Sequence, residues 1–185
     1  MSLTPSSMLD LGTKAPTFEL FDVVSQNIKS LAQLQGKNGT VILFICNHCP
    51  YVKHIEKAIV DVAHQYTAQG FSFIAINAND AEAYPEDSPE KMRETALQLN
   101  FNFPYLFDET QQVAKAYQAE CTPDFYVFDS NLSLVYRGQF DNARPANSNL
   151  PDGKDLTNAL EALLRKEQPS RLQKPSIGCN IKWKK

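Results

Sequence analysis

The sequence predicts an α/β fold, a central mixed β-sheet with helices on both faces. Three observations carry that prediction. Val41-Ile-Leu-Phe-Ile45 is a short unbroken apolar run, which suits a strand buried on both sides. From Pro50 the apolar residues Val52, Ile55, Ile59, Val62, Ala63 and Tyr66 recur every three to four positions, one face of a helix. Phe71 to Asn77 then returns to strand composition, so strand, helix and strand form a unit with a parallel, right-handed crossover. A later pair of strands joined by a short turn adds antiparallel pairing and makes the sheet mixed.

The elements follow in order. Residues 11–37 read as an opening segment, with Leu11-Gly12-Thr13-Lys14-Ala15-Pro16, alternating Phe18 and Leu20, then Ile28 and Leu31. Gly39-Thr40 leads into the central strand, which ends directly at Cys46. Pro50 suits the first turn of the next helix, where its missing N–H is no loss, and Gly70 suits its end. Ser88-Pro89-Glu90 opens a helix running to about Asn100: a hydroxyl to cap, a proline at the first position, an acid near the positive end. Phe101, Phe103, Tyr105 and Phe107 alternate as a strand does and are expected in the core. A short helix covers roughly Glu109 to Gln118. Phe125–Phe128 and Leu132–Tyr136, joined by Asp129-Ser130-Asn131, read as a β-hairpin. Lys154 to Lys166 closes as an amphipathic helix, with Leu156, Leu160, Leu163 and Leu164 on one face. Residues 168–185 are basic and Pro-containing, with no period. They read as an extension over the surface of a single domain spanning 1–167, with Arg171, Lys174, Lys182, Lys184 and Lys185 solvated.

Composition narrows the function classes. The 185 residues are 43% hydrophobic, enough for one sizeable core. Lys and Arg number 18 against 21 Asp and Glu, a net charge of -3 that gives no electrostatic reason to expect nucleic acid or a membrane surface as partner. The longest apolar run is far short of a bilayer span, and Met1–Asp10 has no basic-then-apolar leader pattern. A cytoplasmic location is the expectation. Four cysteines are too few for a disulfide scaffold, and in a reducing compartment clustered cysteines are metal-binding or catalytic.

Two of them form Cys46-Asn47-His48-Cys49, at the junction of the central strand and the following helix. A spacing of three brings both sulfurs to one side of the helix N-terminus, where unpaired N–H groups and the helix dipole favour an anion. A free thiol has a pKa of about 8.5, and such a site lowers it. The expected catalytic set is therefore Cys46 as an exposed nucleophile, Cys49 as the resolving thiol and His48 tuning the couple towards oxidising character. Half of a zinc site looks the same, but no second C-x-x-C or H-x₃₋₅-H follows. A metal-binding module remains an alternative, with Cys121 joining Cys46 and Cys49, and His48 as a further ligand. Thr122-Pro123 at the start of the Phe125–Phe128 strand suggests a bend made through a cis peptide. Cys121 packs there as a small hydrophobe or approaches the motif. Cys179, near the only tryptophan Trp183, either has no role or reaches the site as a third resolving thiol. Arg137 and Arg144, flanking Asp141-Asn142, are expected in structural pairs or at the border of the cleft.

These motifs together resemble the thioredoxin-like redoxins: Gly12-x-x-Ala15-Pro16-x-Phe18-x-Leu20, the strand into Cys46-x-x-Cys49, and Thr122-Pro123-x-Phe125-x-x-Phe128-Asp129. That broad family contains the alkyl hydroperoxide reductase/thiol-specific antioxidant proteins and membrane-linked thiol–disulfide exchange proteins. The likeness covers about residues 10–140. The run Phe44 to His54, with the tail Ser176 to Trp183, is similar to an uncharacterised bacterial subfamily with a Cys-Asn-His-Cys motif. The resemblance implies a thioredoxin-like fold with Thr122 and Pro123, and Cys121 beside them, at the substrate-binding loop facing the dithiol. It implies a thiol–disulfide oxidoreductase with antioxidant character and no cofactor, taking protein or small-molecule disulfides and recycled by an external thiol reductant. It also admits a peroxidase acting through Cys49. Cys49-Pro50 aligns with the Cys-Pro of those enzymes, while Cys46 stands for their threonine, Ile42 for their proline, and Pro123 where an arginine would begin the strand.

Overall fold

The computed structural model describes residues 3–185. Its main sheet has seven strands, in the order β3-β2-β6-β5-β4-β8-β9. These are β2 (Glu19–Asp22), β3 (Asn27–Ser30), β4 (Gly39–Phe44), β5 (Phe71–Asn77), β6 (Tyr105–Phe107), β8 (Asp124–Phe128) and β9 (Leu134–Gly138). The first strand β1 (Leu3–Pro5), β7 (Cys121–Thr122) and β10 (Ile177–Asn180) form a second, three-stranded sheet in the order β1-β10-β7. The helices are α1 (Leu31–Leu34), α2 (Pro50–Thr67), α3 (Pro89–Gln98), α4 (Gln112–Ala116) and α5 (Lys154–Leu164), with a 3₁₀ turn at Pro85–Asp87.

The central strand behaves as its composition requires. β4 pairs in parallel with β5 and antiparallel with β8, and all six of its residues are buried. Its side chains alternate between two cores. Val41 and Leu43 pack with Val52, Ile55 and Ile59 of α2 and Leu156 and Leu160 of α5. Ile42 and Phe44 pack with Ile74, Ile76, Leu106, Tyr117 and Tyr126 on the opposite face. A strand flanked by two dry cores has no polar face to show, which is why no alternation marks it.

Most helix boundaries follow their punctuation. Pro50 is the first residue of α2. The Ser88 hydroxyl caps α3 by accepting from the Lys91 N–H. The helix expected over 109–118 is shorter, confined to α4. Of the four alternating aromatics, Phe103 and Tyr105 are buried and Phe101 and Phe107 lie at the core margin, with only Tyr105–Phe107 in strand geometry. The opening segment contributes a β2–β3 hairpin at the sheet edge, which its mixed composition conceals.

The tail corrects the expectation of a surface extension. β10 runs antiparallel to β7, with Cys179 opposite Thr122 and Asn180 opposite Cys121, and β1 pairs along its other edge. Ser176, Gly178, Cys179, Ile181 and Lys182 are buried. Lys182, expected to be solvated, is 7% exposed, its ammonium donating to the Asn180 backbone and side-chain oxygens at 2.6 and 3.1 Å. Gly178 explains how the tail lies so close: a Cβ there would overlap the Thr122 carbonyl. No described helix is long and apolar enough to cross a membrane.

Candidate active site

The site assembles where β4 ends and α2 begins. The Ile45 N–H continues the pairing with β5 by donating to the Ile76 carbonyl at 3.0 Å, so Cys46 leaves the sheet from a fixed point. Cys49 is the N-cap residue of α2, and its carbonyl accepts from the Lys53 N–H at 3.0 Å. Pro50 supplies no amide, so the Val52 N–H is the helix donor that reaches the Cys49 sulfur. The Thr122–Pro123 peptide is cis, as the sequence suggests. It places the Thr122 hydroxyl 3.3 Å from Cys46 Sγ and the Thr122 carbonyl 3.2 Å from Cys49 Sγ. Cys179 Sγ, brought by β10, lies 2.9 Å from Cys49 Sγ. All four cysteines are reduced and buried.

The electrostatics divide the two motif thiols. Cys49 is held below the ordinary thiol range, because it accepts hydrogen bonds from the Cys46 thiol, the Cys179 thiol and the Val52 and Cys179 amides, which together outweigh burial. Cys46 is pushed up by donating to Cys49, by burial and by the Asp87 carboxylate. Ionisation is therefore easier at Cys49, beside the helix N-terminus, than at Cys46.

A buried carboxylate organises the loop between them. Asp87, with no exposed surface, accepts from the Asn47 N–H at 2.7 Å, from Asn77 and Asn79 side-chain amides at 3.2 and 2.8 Å, and pairs with His48 Nδ1 at 2.6 Å. Burial alone would raise its pKa, but these donors hold it below the ordinary carboxylate value. The same bond raises His48 above the ordinary imidazole value. The His48 ring stacks on Tyr84 at 5.3 Å, and its Nε2 has no hydrogen-bond partner among the described residues.

The AhpC/TSA family model matches residues 11–137, more than half of the sequence. The chain belongs to the AhpC/TSA family. It is therefore a thioredoxin-like redoxin, and a redox enzyme in general terms. It is similar to an uncharacterized conserved protein from Geobacillus kaustophilus, with 53% identity and a TM-score of 0.98 over 100% of this chain and 97% of that one. A hypothetical protein from Sinorhizobium meliloti 1021 shares 44% identity and a TM-score of 0.95, covering 98% of each chain. The fold also matches a thiol:disulfide interchange protein of the thioredoxin family from Chlorobium tepidum, at 16% identity and a TM-score of 0.63 over 85% of this chain and 99% of that one. No curated protein sequence matches it.

Against the expected site, the redoxin brings Cys46, His48, Cys49, Thr122 and Pro123 together, but it changes some of their circumstances. Cys46 is not exposed: it is 2% accessible, and Cys49 is fully buried. Beside Pro123, Tyr51 and Ile55 of α2, Arg144, and Ser176 and Ile177 of the tail line a cavity of about 10 Å³, at the lower limit for a single water. Cys121 turns away. Neighbouring residues of a strand face opposite sides, and Thr122 takes the side of the dithiol. The Cys121 sulfur donates to the Pro123 carbonyl at 3.8 Å, and its thiol is pushed up by burial and the Asp124 carboxylate. The Cys46, Cys49, Cys121 metal set is therefore not assembled. Among the described residues, the one grouping with ligand-like proximity is Cys46, His48 and Asp87, within 4.8 Å of one another. Arg137 is buried against Asp124 at 3.0 Å and donates to the Gln118 carbonyl at 2.7 Å, a structural pair as expected. Arg144 donates to the Asp141 and Ala143 carbonyls.

Nothing in the sequence marks Asp87 as part of the site. It sits in Pro85-Glu86-Asp87-Ser88-Pro89, whose turn signals mark an acid as solvated. Only the pairing of His48 with some carboxylate was open to inference, since a motif histidine that tunes a thiolate needs an orienting partner.

Proposed function

We propose that this redoxin is a thiol–disulfide oxidoreductase that cycles Cys46 and Cys49 between dithiol and disulfide. The observation that carries the proposal is the placement of both sulfurs at the N-terminus of α2 against one residue, Thr122, whose hydroxyl meets Cys46 and whose carbonyl meets Cys49. Cys46 passes its proton to Cys49 as Cys46 Sγ attacks a substrate disulfide. One substrate sulfur leaves as a thiolate and takes a proton, while the other stays bonded to Cys46. Cys49, ionised again at the helix end, attacks Cys46 Sγ and expels the second substrate sulfur. A Cys46–Cys49 bond remains, and an external thiol reductant reopens it. The substrate is a protein or small-molecule disulfide, the chemistry needs no cofactor, and the compartment is the cytoplasm. Asp87 raises the pKa of His48, and the imidazolium form adds positive charge near Cys49. A stabilised Cys49 thiolate is also a good leaving group, which speeds the reopening of the Cys46–Cys49 bond when the external thiol attacks Cys46. Because β10 lies against Cys49, substrate enters when the tail lifts from β7.

A second reading, peroxidase chemistry through Cys49, is favoured by its position as N-cap and its lowered pKa. Against it, Arg137 is committed to Asp124, and Cys46 occupies the place of an activating hydroxyl. The experiment measures reduction of an insulin disulfide and of hydrogen peroxide by wild type, Cys46→Ser and Cys49→Ser. Loss of disulfide reduction in both variants is expected. Exchange that survives Cys46→Ser ends the dithiol reading, and peroxide turnover that survives Cys46→Ser but not Cys49→Ser puts the peroxidase in its place.

A further inference from the structure

Cys179 is 130 positions from Cys49 in sequence, yet the two sulfurs lie 2.9 Å apart in a buried contact. Three features hold it there. The β10 backbone pairs with β7 so that Cys179 stands opposite Thr122, the residue that also touches Cys46 and Cys49. Gly178 carries no side chain, which lets the strand seat against the Thr122 carbonyl. The following residues are anchored: the Ile181 N–H donates to the Glu120 carbonyl at 3.0 Å, and the Lys182 N–H to Asn79 Oδ1 at 2.8 Å. Asn79 in turn binds Asp87, so the tail and the motif loop share one support.

Cys49 is consequently the central sulfur of three, touching Cys46 on one side and Cys179 on the other. A disulfide needs its sulfurs about 2.05 Å apart, so closure of Cys49 with Cys179 requires a movement of only about 1 Å. We propose that Cys179 is a third redox thiol of this site, which takes over the Cys46–Cys49 disulfide and stores the oxidised state as a Cys49–Cys179 bond that fastens β10 across the dithiol. The inference rests on the dithiol reading above. The Cys179 thiolate attacks Cys49 Sγ, the Cys46–Cys49 bond breaks, and its electron pair leaves on Cys46 Sγ, which takes up the proton Cys179 gave up. The step is an exchange with no net oxidation. The oxidant is the substrate disulfide that first oxidised Cys46 and Cys49, and it departs as two thiols. Cys46 is left reduced, and the tail is locked in the position that excludes further substrate until an external thiol opens the bond.

The test uses the full chain, fully reduced, freed of reductant and treated with one equivalent of diamide. Remaining thiols are alkylated and the peptides mapped without reduction for wild type, Cys46→Ser and Cys179→Ser. The expected result is a Cys49–Cys179 bond as the major product in wild type and in Cys46→Ser, with loss of Cys179 alkylation, and a Cys46–Cys49 bond in Cys179→Ser. A wild-type product bonded mainly through Cys46 and Cys49, with Cys179 alkylated, overturns the relay while leaving the dithiol reading in place. A chain that forms neither bond, in wild type or in Cys179→Ser, overturns both.

Discussion

Replacing Asp87 by asparagine isolates the charge that organises the motif loop. The substitution keeps the shape of the side chain and leaves Oδ1 able to accept from Asn47 and Asn77. It places an amide where Oδ2 accepts from Asn79 and pairs with His48. Asn79 cannot turn to compensate, because its own oxygen holds the Lys182 N–H. One buried donor is left unpaired, about 1–3 kcal/mol, and a charged bond to His48 becomes a neutral one, about 1 kcal/mol. The sum, about 3 kcal/mol, corresponds to a fall in Tm of about 6–12 °C for a chain of this size.

The pH dependence has a definite sign. His48 is raised, so its contribution is complete below the unfolded imidazole value of about 6.5 and is lost as pH rises through the higher folded value. Asp87 is lowered, so its contribution is present above about pH 4 and is lost as pH falls through the folded value. The Asp87→Asn penalty is therefore largest near pH 6 and smaller near pH 9. Removing the carboxylate also relieves Cys46, whose alkylation profile shifts to lower pH. Urea denaturation followed by circular dichroism at both pH values, with alkylation kinetics of Cys46, reads all three effects. A penalty under 1 kcal/mol at pH 6, or the same penalty at both pH values with an unmoved Cys46 profile, refutes this account of Asp87.

Other outcomes follow from neighbouring contacts. Gly178→Ala adds a Cβ that meets the Thr122 carbonyl. It pushes β10 off β7, destabilises by about 1–3 kcal/mol as overpacking does, and speeds Cys49 alkylation in the folded protein. Unchanged Cys49 alkylation would show that β10 is not the cover. Arg137→Ala strands the Asp124 carboxyl and the Gln118 carbonyl in a dry site and is expected to cost about 3–5 kcal/mol near neutral pH by urea denaturation. That penalty shrinks below the Asp124 pKa, which burial pushes up to about 6, because the protonated acid needs no cation; a penalty that grows on acidification contradicts this. Cys121→Ala costs about 1 kcal/mol of packing and leaves the redox titration of Cys46 and Cys49 in place, whereas a changed potential would return Cys121 to the site.

The legible part of the fold was local. The Val41–Phe44 run and the α2 stripe are patterns that short-range physics imposes, and they put Cys46 and Cys49 at a strand end and a helix start. Thr122-Pro123 could be suspected because proline rarely begins a buried strand. What the sequence concealed was brought in from a distance. Asp87 reaches the motif from a turn 39 positions away from His48, and nothing in its own surroundings distinguishes it from a solvated acid. β10 has four residues, too few for any period to show, and a neighbouring cluster of lysines and prolines makes the tail read as surface. Its place depends on Gly178 fitting against one carbonyl and on Lys182 burying its ammonium against Asn180, contacts that no spacing rule reports. The assignment of the charge to Cys49 has the same origin, since two of its donors belong to Cys179.

The most direct test of the central claim is a redox titration of the full chain in glutathione buffers, with each cysteine's state read by alkylation and mass spectrometry in wild type and Cys179→Ser. Cys179→Ser is expected to show one two-electron transition, about 30 mV per tenfold change in the ratio of forms, in which Cys46 and Cys49 lose alkylation together. Cys46 and Cys49 that stay alkylatable across the range, or that titrate separately as mixed disulfides with glutathione, would contradict it.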